Sequence, residues 1–228
     1  MSFLILFLSI AWAAPVKIMP LGDSLTAGGY NVNKQWFVGS GYRARFKTYL
    51  AAKNIEVDLV GSLSHGLEDF TDRQHEGHSG LRIEEIAAKF EPSLISNKPD
   101  IVLLAAGSND LFQNFKVDTA PERFFLIVKR IRELSPETEI FVASVIATNN
   151  RKFNERINKF NWKLMTLAKQ YNQQNPKRII WIEMATRTSF TPKDFTDGVH
   201  PTTPAYEKMG EVWAEAVSKY LTETKRFQ

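Results

Sequence analysis

Val16-Lys17-Ile18-Met19-Pro20-Leu21-Gly22-Asp23-Ser24-Leu25-Thr26-Ala27-Gly28-Gly29 is the stretch around which the chain is read. Val16 to Met19 has the character of a buried strand, and a glycine-flanked serine follows at its end. In open α/β sheets the turn after a parallel strand opens at the carboxyl edge, where ligands bind. Small residues and serine also occur in any strand-to-helix turn, so the stretch alone is a weak signal. A second stretch near the other end, Asp197-Gly198-Val199-His200-Pro201, adds a histidine and a carboxylate. Together they supply the parts of a hydrolytic triad.

Outward from the serine, strand and helix patterns alternate. Apolar residues at helical spacing (Tyr42, Phe46, Tyr49, Leu50) predict a helix over 42–52, and 55–60 reads as a strand. Residues 62–80 are dense in Gly, His, Asp and Glu, lack periodicity and read as a loop. Ile83, Ile86, Ala87, Phe90 and Leu94 predict one amphipathic helix over 81–94. The continuous apolar run 101–106 suits a strand buried on both faces, and it ends in Gly107-Ser108-Asn109-Asp110. Helices over 120–134 and 153–171 alternate with strands over 140–146 and 179–184. Thr203 as N-cap, with Pro204 first inside, opens a last helix through 221. Trp162, Trp181 and Trp213 read as core. Five strands, each followed by a helix, imply an α/β protein: a three-layer α/β/α sandwich on a five-stranded parallel sheet, flavodoxin-like in strand order.

With 228 residues, 43% of them apolar, the chain can build one domain with a proper core. The formal charge of +4 comes from scattered basic residues, which argues against a nucleic-acid footprint. There is no cysteine, hence no disulfide framework and no thiolate chemistry. The nearly uncharged apolar run before Ala14-Pro15 reads as a signal peptide over 1–14, ahead of a single domain over 15–228. An uncleaved anchor or a buried first strand are the competing readings. On the signal-peptide reading the protein is secreted, extracellular and free of the membrane after cleavage. A monomer is expected.

The chemistry of acyl transfer accounts for each residue type. Ser24 is the candidate nucleophile, His200 the base that takes its proton, and Asp197 the carboxylate that holds the imidazole. The backbone N–H groups of Ser24 and Gly80 and the Asn109 side-chain amide are candidate oxyanion donors. Asp110 is read as a structural cap for the turn or helix holding Asn109. Asp23, Tyr30, Trp36 and His78 are the candidates for substrate contact; Trp36 and Phe37 either stack on sugar rings or pack their loop onto the core. His75-Glu76-Gly77-His78 has a spacing of three and a helix-breaking glycine, unlike a zinc-protease motif, so no metal is expected. No cofactor is expected either.

Gly22-Asp23-Ser24-Leu25, Gly80, Gly107-Ser108-Asn109-Asp110 and Asp197-Gly198-Val199-His200-Pro201 resemble the blocks of the SGNH (GDSL) hydrolase superfamily, in family order. The resemblance spans nearly all of 15–228. It implies the triad Ser24, His200 and Asp197 and the oxyanion hole Ser24, Gly80 and Asn109. Asp72 to Gly80, with Val60-Gly61-Ser62, is similar to the acetyl xylan esterases of carbohydrate esterase family three. That likeness implies a secreted, metal-independent enzyme removing O-acetyl groups from xylan; Leu81 departs from it, standing where an aromatic is expected.

Other classes fit less of the chain. A lipid-directed GDSL esterase or lysophospholipase would need a broad apolar acyl groove, against which stand the polar loops 31–35 and 62–79. A flavin-binding carrier leaves the Asp197 to His200 stretch unexplained and puts Asp23 beside a phosphate. A non-catalytic carbohydrate-binding protein would have no use for the intact constellation.

Overall fold

The computed structural model describes residues 14–224. The signal peptide expected over 1–14 therefore lies, apart from Ala14, outside the described residues. The chain runs through β1 (Val16–Gly22), a single helical turn α1 (Ser24–Ala27), and a hairpin of β2 (Gly29–Val32) and β3 (Gln35–Val38). Then come α2 (Tyr42–Ala51), β4 (Val57–Leu59), β5 (Leu63–Ser64), β6 (Gln74–Gly77), α3 (Ile83–Ala87) and α4 (Phe90–Asn97). β7 (Ile101–Ala105), α5 (Ser108–Phe112), α6 (Ala120–Leu134), β8 (Glu139–Ala143) and α7 (Arg151–Gln174) follow. β9 (Ile180–Ile182), α8 (Met184–Thr188) and α9 (Thr203–Thr224) are the last.

β4, β1, β7, β8 and β9 lie side by side and parallel, the flavodoxin-like order. The expectation of five strands falls short, because among the described residues the sheet has seven. β6 pairs with the end of β1 where β4 has stopped, and β5 runs antiparallel to β6. Both extra strands come from the segment read as a loop. Gln74-His75-Glu76-Gly77 carries no apolar signal because its buried side chains are satisfied by hydrogen bonds: Glu76 accepts from the Ser62 backbone and hydroxyl, and His75 accepts from the Gly77 N–H.

Alternation along the strands sends residues to two cores. Ile101 and Leu103 of β7 join Phe46, Leu50, Trp213 and Val217 under α2 and α9. Val102 and Leu104 join Ile86, Phe90, Phe124, Ile131 and Phe160 under the helices of the other face. The expected helix over 81–94 is two helices, broken at Ala88 and Lys89. Pro92 explains the break: inside one continuous helix it would lack an N–H for Ala88 and clash with that carbonyl. Trp213 is fully buried, but Trp162 is 66% exposed, contrary to the core reading. At 100° per residue it sits about 200° from Phe160 and Leu164, on the outer side of α7.

Beneath α1 lies a buried polar hub. Arg43 of α2 donates to the carbonyls of Thr26, Ala27, Gly39, His65 and Arg73, and so ties the β1 turn to the hairpin and to the loop before β6. Next to it His75, fully buried, accepts at Nδ1 from Gly77 and so faces His65 with its Nε2–H. Burial and the neighbouring Arg43 cation hold this imidazole down to about 2. An unfolded chain protonates His75 near 6.5, so stability is present above that pH and drains as pH falls towards 2. The slope is up to roughly 1.4 kcal/mol per pH unit. Unfolding free energies from urea titration at pH 7 and pH 5 should therefore differ more for the native protein than for His75→Gln, by about 2 kcal/mol. Equal losses would show that His75 protonates readily in the fold.

Candidate active site

Strand register sets the site. Gly22, the last residue of β1, pairs with Gly77 on one side and Ala105 on the other. The chain segments carrying Ser24, Gly80 and Asn109 therefore leave one sheet edge at one level. A side chain at Gly22 would collide with the Ala105 carbonyl at 1.9 Å, so the strands can close up only around glycine. Past Gly22, Asp23 caps α1 by accepting the Leu25 N–H at 3.1 Å, which places Ser24 at the first helical position.

Asp197 and His200 come from the loop before α9. Asp197 Oδ1 accepts the backbone N–H groups of Val199 and His200, at 3.0 and 2.8 Å, and folds the loop back on itself. Thr196 N–H donates to the His200 carbonyl at 2.8 Å, and a bridge between Phe195 and Pro201 closes the base. Asp197 Oδ2 lies 2.8 Å from His200 Nδ1, which makes Nδ1 the protonated nitrogen. Nε2 is then the acceptor that faces Ser24 Oγ at 3.0 Å. Partial burial alone would raise the Asp197 carboxyl. The His200 backbone N–H, its imidazole and the Asn31 amide outweigh it and bring the group down to about 2. Asp197 is thus an anion throughout the range in which an imidazole titrates.

Gly80 sits at φ +79°, and a β-carbon there would meet nothing within 4 Å. Its glycine answers to backbone conformation rather than to crowding, since the turn from His78 to Leu81 needs a left-handed residue. Asn109 Nδ2 donates one hydrogen to the Leu81 carbonyl at 2.9 Å, which fixes the amide against that turn and leaves its second hydrogen without an acceptor among the described residues. The Ser24 and Gly80 N–H groups have no acceptor among the described residues. Asp110 is structural, as expected, but it serves a different helix: it accepts the Ile83 N–H at the start of α3 and pairs with Arg123 at 2.7 Å.

Two of the four candidates for substrate contact line the rim. Trp36 meets the His200 ring edge-on at 4.8 Å, and His78 donates from Nε2 to Glu76 at 2.8 Å along the same cleft. That cleft, about 350 Å³, is also lined by Ala27, Leu63, Ser79 and Leu81. Tyr30 stacks on Phe37 at 5.6 Å within the hairpin. Asp23 must be withdrawn as a substrate contact: it is 1% exposed, its carboxylate turned inward to cap α1, and burial pushes its pKa up. Sequence reasoning also missed two residues. Arg43 carried no signal beyond being a basic residue in a helix, and Asn31, which donates to Asp197 Oδ2 at 2.7 Å, looked like one more polar loop residue.

Residues 21–208 match the GDSL-like lipase/acylhydrolase family. A protein described as a multidomain esterase from Ruminococcus flavefaciens is 30% identical over a 236-residue alignment, which covers 92% of this chain and 29% of that protein. The chain thus spans less than a third of that relative's length. A solved family 3 carbohydrate esterase from Clostridium thermocellum superposes with a TM-score of 0.78 at 27% identity, covering 92% of this chain and 98% of the other. A carbohydrate esterase family 3 protein from Talaromyces cellulolyticus superposes with a TM-score of 0.77 at 22% identity, covering 91% and 99%. At that identity the second likeness is one of fold.

Proposed function

This chain belongs to the GDSL-like lipase/acylhydrolase family, and from that premise we propose a secreted serine esterase that removes O-acetyl groups from a plant cell-wall polysaccharide, acetylated xylan first. The observation that carries the chemistry is the chain of contacts Ser24 Oγ, His200 Nε2, His200 Nδ1 and Asp197 Oδ2, at 3.0 and 2.8 Å. His200 takes the Ser24 proton as the hydroxyl attacks the acetyl carbonyl, and Asp197 stabilises the resulting imidazolium. The N–H groups of Ser24 and Gly80 and the second hydrogen of Asn109 receive the oxyanion. His200 then protonates the leaving sugar alkoxide. In the second half it activates water, which releases acetate from acetyl-Ser24.

Supporting the carbohydrate substrate are the likeness to a family 3 carbohydrate esterase at 27% identity and the character of the cleft. His65, His78 and Ser79 line its walls together with Trp36, Val38, Leu63 and Leu81, and the cleft reaches the triad where Trp36 meets His200, which suits a sugar ring packed on an aromatic face with polar groups beside it. A lipid chain would call for a long apolar groove. The apolar segment before Ala14 serves as the export signal in this reading, and the protein works outside the cell as a monomer without metal or cofactor.

The test is hydrolysis of aryl acetate, butyrate and octanoate, with acetate release from acetylated xylan measured alongside. Expected is a kcat/KM at least about tenfold higher for acetate than for octanoate, together with release from xylan. Preference for octanoate would move the substrate to lipids.

A further inference from the structure

We infer that the β2–β3 hairpin positions the acid–base half of the triad, with Asn31 orienting Asp197 and, through it, His200. The inference rests on the triad reading above and assigns a role to residues outside that triad.

Among the described residues the hairpin strands pair only with each other. An isolated two-stranded ribbon is marginal in water, so its place is set by what it docks on. One anchor is the Tyr206 hydroxyl, which donates to the Gly29 carbonyl at 2.6 Å. Arg43 holds the hairpin's exit at the Gly39 carbonyl, and two further anchors lie on the loop that carries Asp197 and His200. Asn31 donates from its backbone to Thr196 Oγ1 at 3.3 Å and from its side chain to Asp197 Oδ2 at 2.7 Å. Directly opposite Asn31 in the register stands Trp36, so both side chains project from one face of the ribbon. Trp36 covers the His200 ring edge-on, while the far rim of its indole lies over Gly29, 2.3 Å from where a β-carbon would stand. One face of the hairpin therefore holds the carboxylate and the imidazole together.

A count of acceptors shows why the amide matters. Asp197 Oδ1 takes two backbone N–H groups, and Oδ2 takes His200 Nδ1–H and the Asn31 amide, which fills the capacity of a carboxylate. Without Asn31, Oδ2 keeps His200 as its one partner, and the tilt of the carboxylate towards the imidazole loses its support from the hairpin side. An aspartate at 31 would place a second carboxylate against the first. The charged groups facing His200 are Asp197 on its own loop and buried Asp23 from the turn after β1. An added anion at 31 thus has a local readout in the acid limb of the pH profile.

The experiment compares Asn31→Ala, Asn31→Asp and the native protein on an aryl acetate, with kcat and KM separated and kcat/KM followed against pH. Thermal melts establish that each variant is folded, and Ser24→Ala runs in parallel. Expected is a fall in kcat of about tenfold or more in both variants with KM changed little. In Asn31→Asp the acid limb should also move up by about one pH unit, because the extra anion favours the imidazolium. A hairpin with only a structural role would lower the melting temperature in both variants and leave the limb in place. That result, or unchanged kcat in both, overturns the inference. If Ser24→Ala is as active as the native protein, it is the triad reading that fails.

Discussion

Ser24→Ala is expected to lower kcat by roughly four to six orders of magnitude while leaving the melting temperature within a degree or two. The size follows from what one oxygen does. Ser24 Oγ is the atom in line with His200 Nε2, and without it the imidazole has no hydroxyl to deprotonate. Binding and the oxyanion donors would still accelerate attack by water, so a residue of activity survives. His200→Ala should be about as severe, and the double variant no worse than either single one, because the two groups act as one unit. Stability should hold because the serine hydroxyl makes its hydrogen bond to that histidine and the turn is held by other groups. Asp23 caps it, Arg43 binds its carbonyls, and Gly22 lets β7 close against β1.

Arg43→Met is expected to give the largest loss of stability, about 3–5 kcal/mol, read as a shift in urea midpoint. The guanidinium is fully buried and spends its donors on five carbonyls from four separate stretches of chain. Burial lowers its pKa only to about 10, so it is a cation under all ordinary conditions. Methionine fills much of the volume but leaves those carbonyls facing an apolar chain, and recovery of the buried-charge cost offsets the loss in part. Lysine should rescue part of the stability, because an ammonium has three donors and no planar fork. An unchanged midpoint in Arg43→Met would show that water or neighbouring N–H groups satisfy the carbonyls. Since two of them belong to Thr26 and Ala27, the same variant should also lower kcat by loosening the turn that holds Ser24.

What was legible in the sequence, and what was not, divides along the kind of signal each element carries. β7 announced itself because a strand buried on both faces is an unbroken apolar run, Ile101 to Ala105. α6 matched its expected bounds because its apolar residues repeat at helical spacing and Pro121 opens its first turn. β6 was invisible, since its buried side chains are those of His75 and Glu76 and their burial depends on partners, Ser62 and His65, outside the strand. The hairpin was missed for a different reason. Its turn places Asn33 and Lys34 at φ 51° and 65°, the conformation of a type I′ turn, but lysine stands where glycine usually marks one. Ser24, His200 and Asp197 could be picked out as a set because those residue types in such settings have few other uses, and the fold brings them within hydrogen-bond reach of one another. The groups around them could not: Asn31, Arg43 and Glu76 act through position, and only the folded chain supplies position.

The claim on which everything rests is that Ser24 is the activated nucleophile. Its most direct test is treatment with an aryl phosphonate ester, which modifies activated serines, followed by peptide mass mapping and a parallel assay of esterase activity. The account predicts a single phosphonyl group on the peptide bearing Ser24, gained in step with the loss of activity. Inactivation with the label on another residue, or full activity with Ser24 labelled, would contradict it.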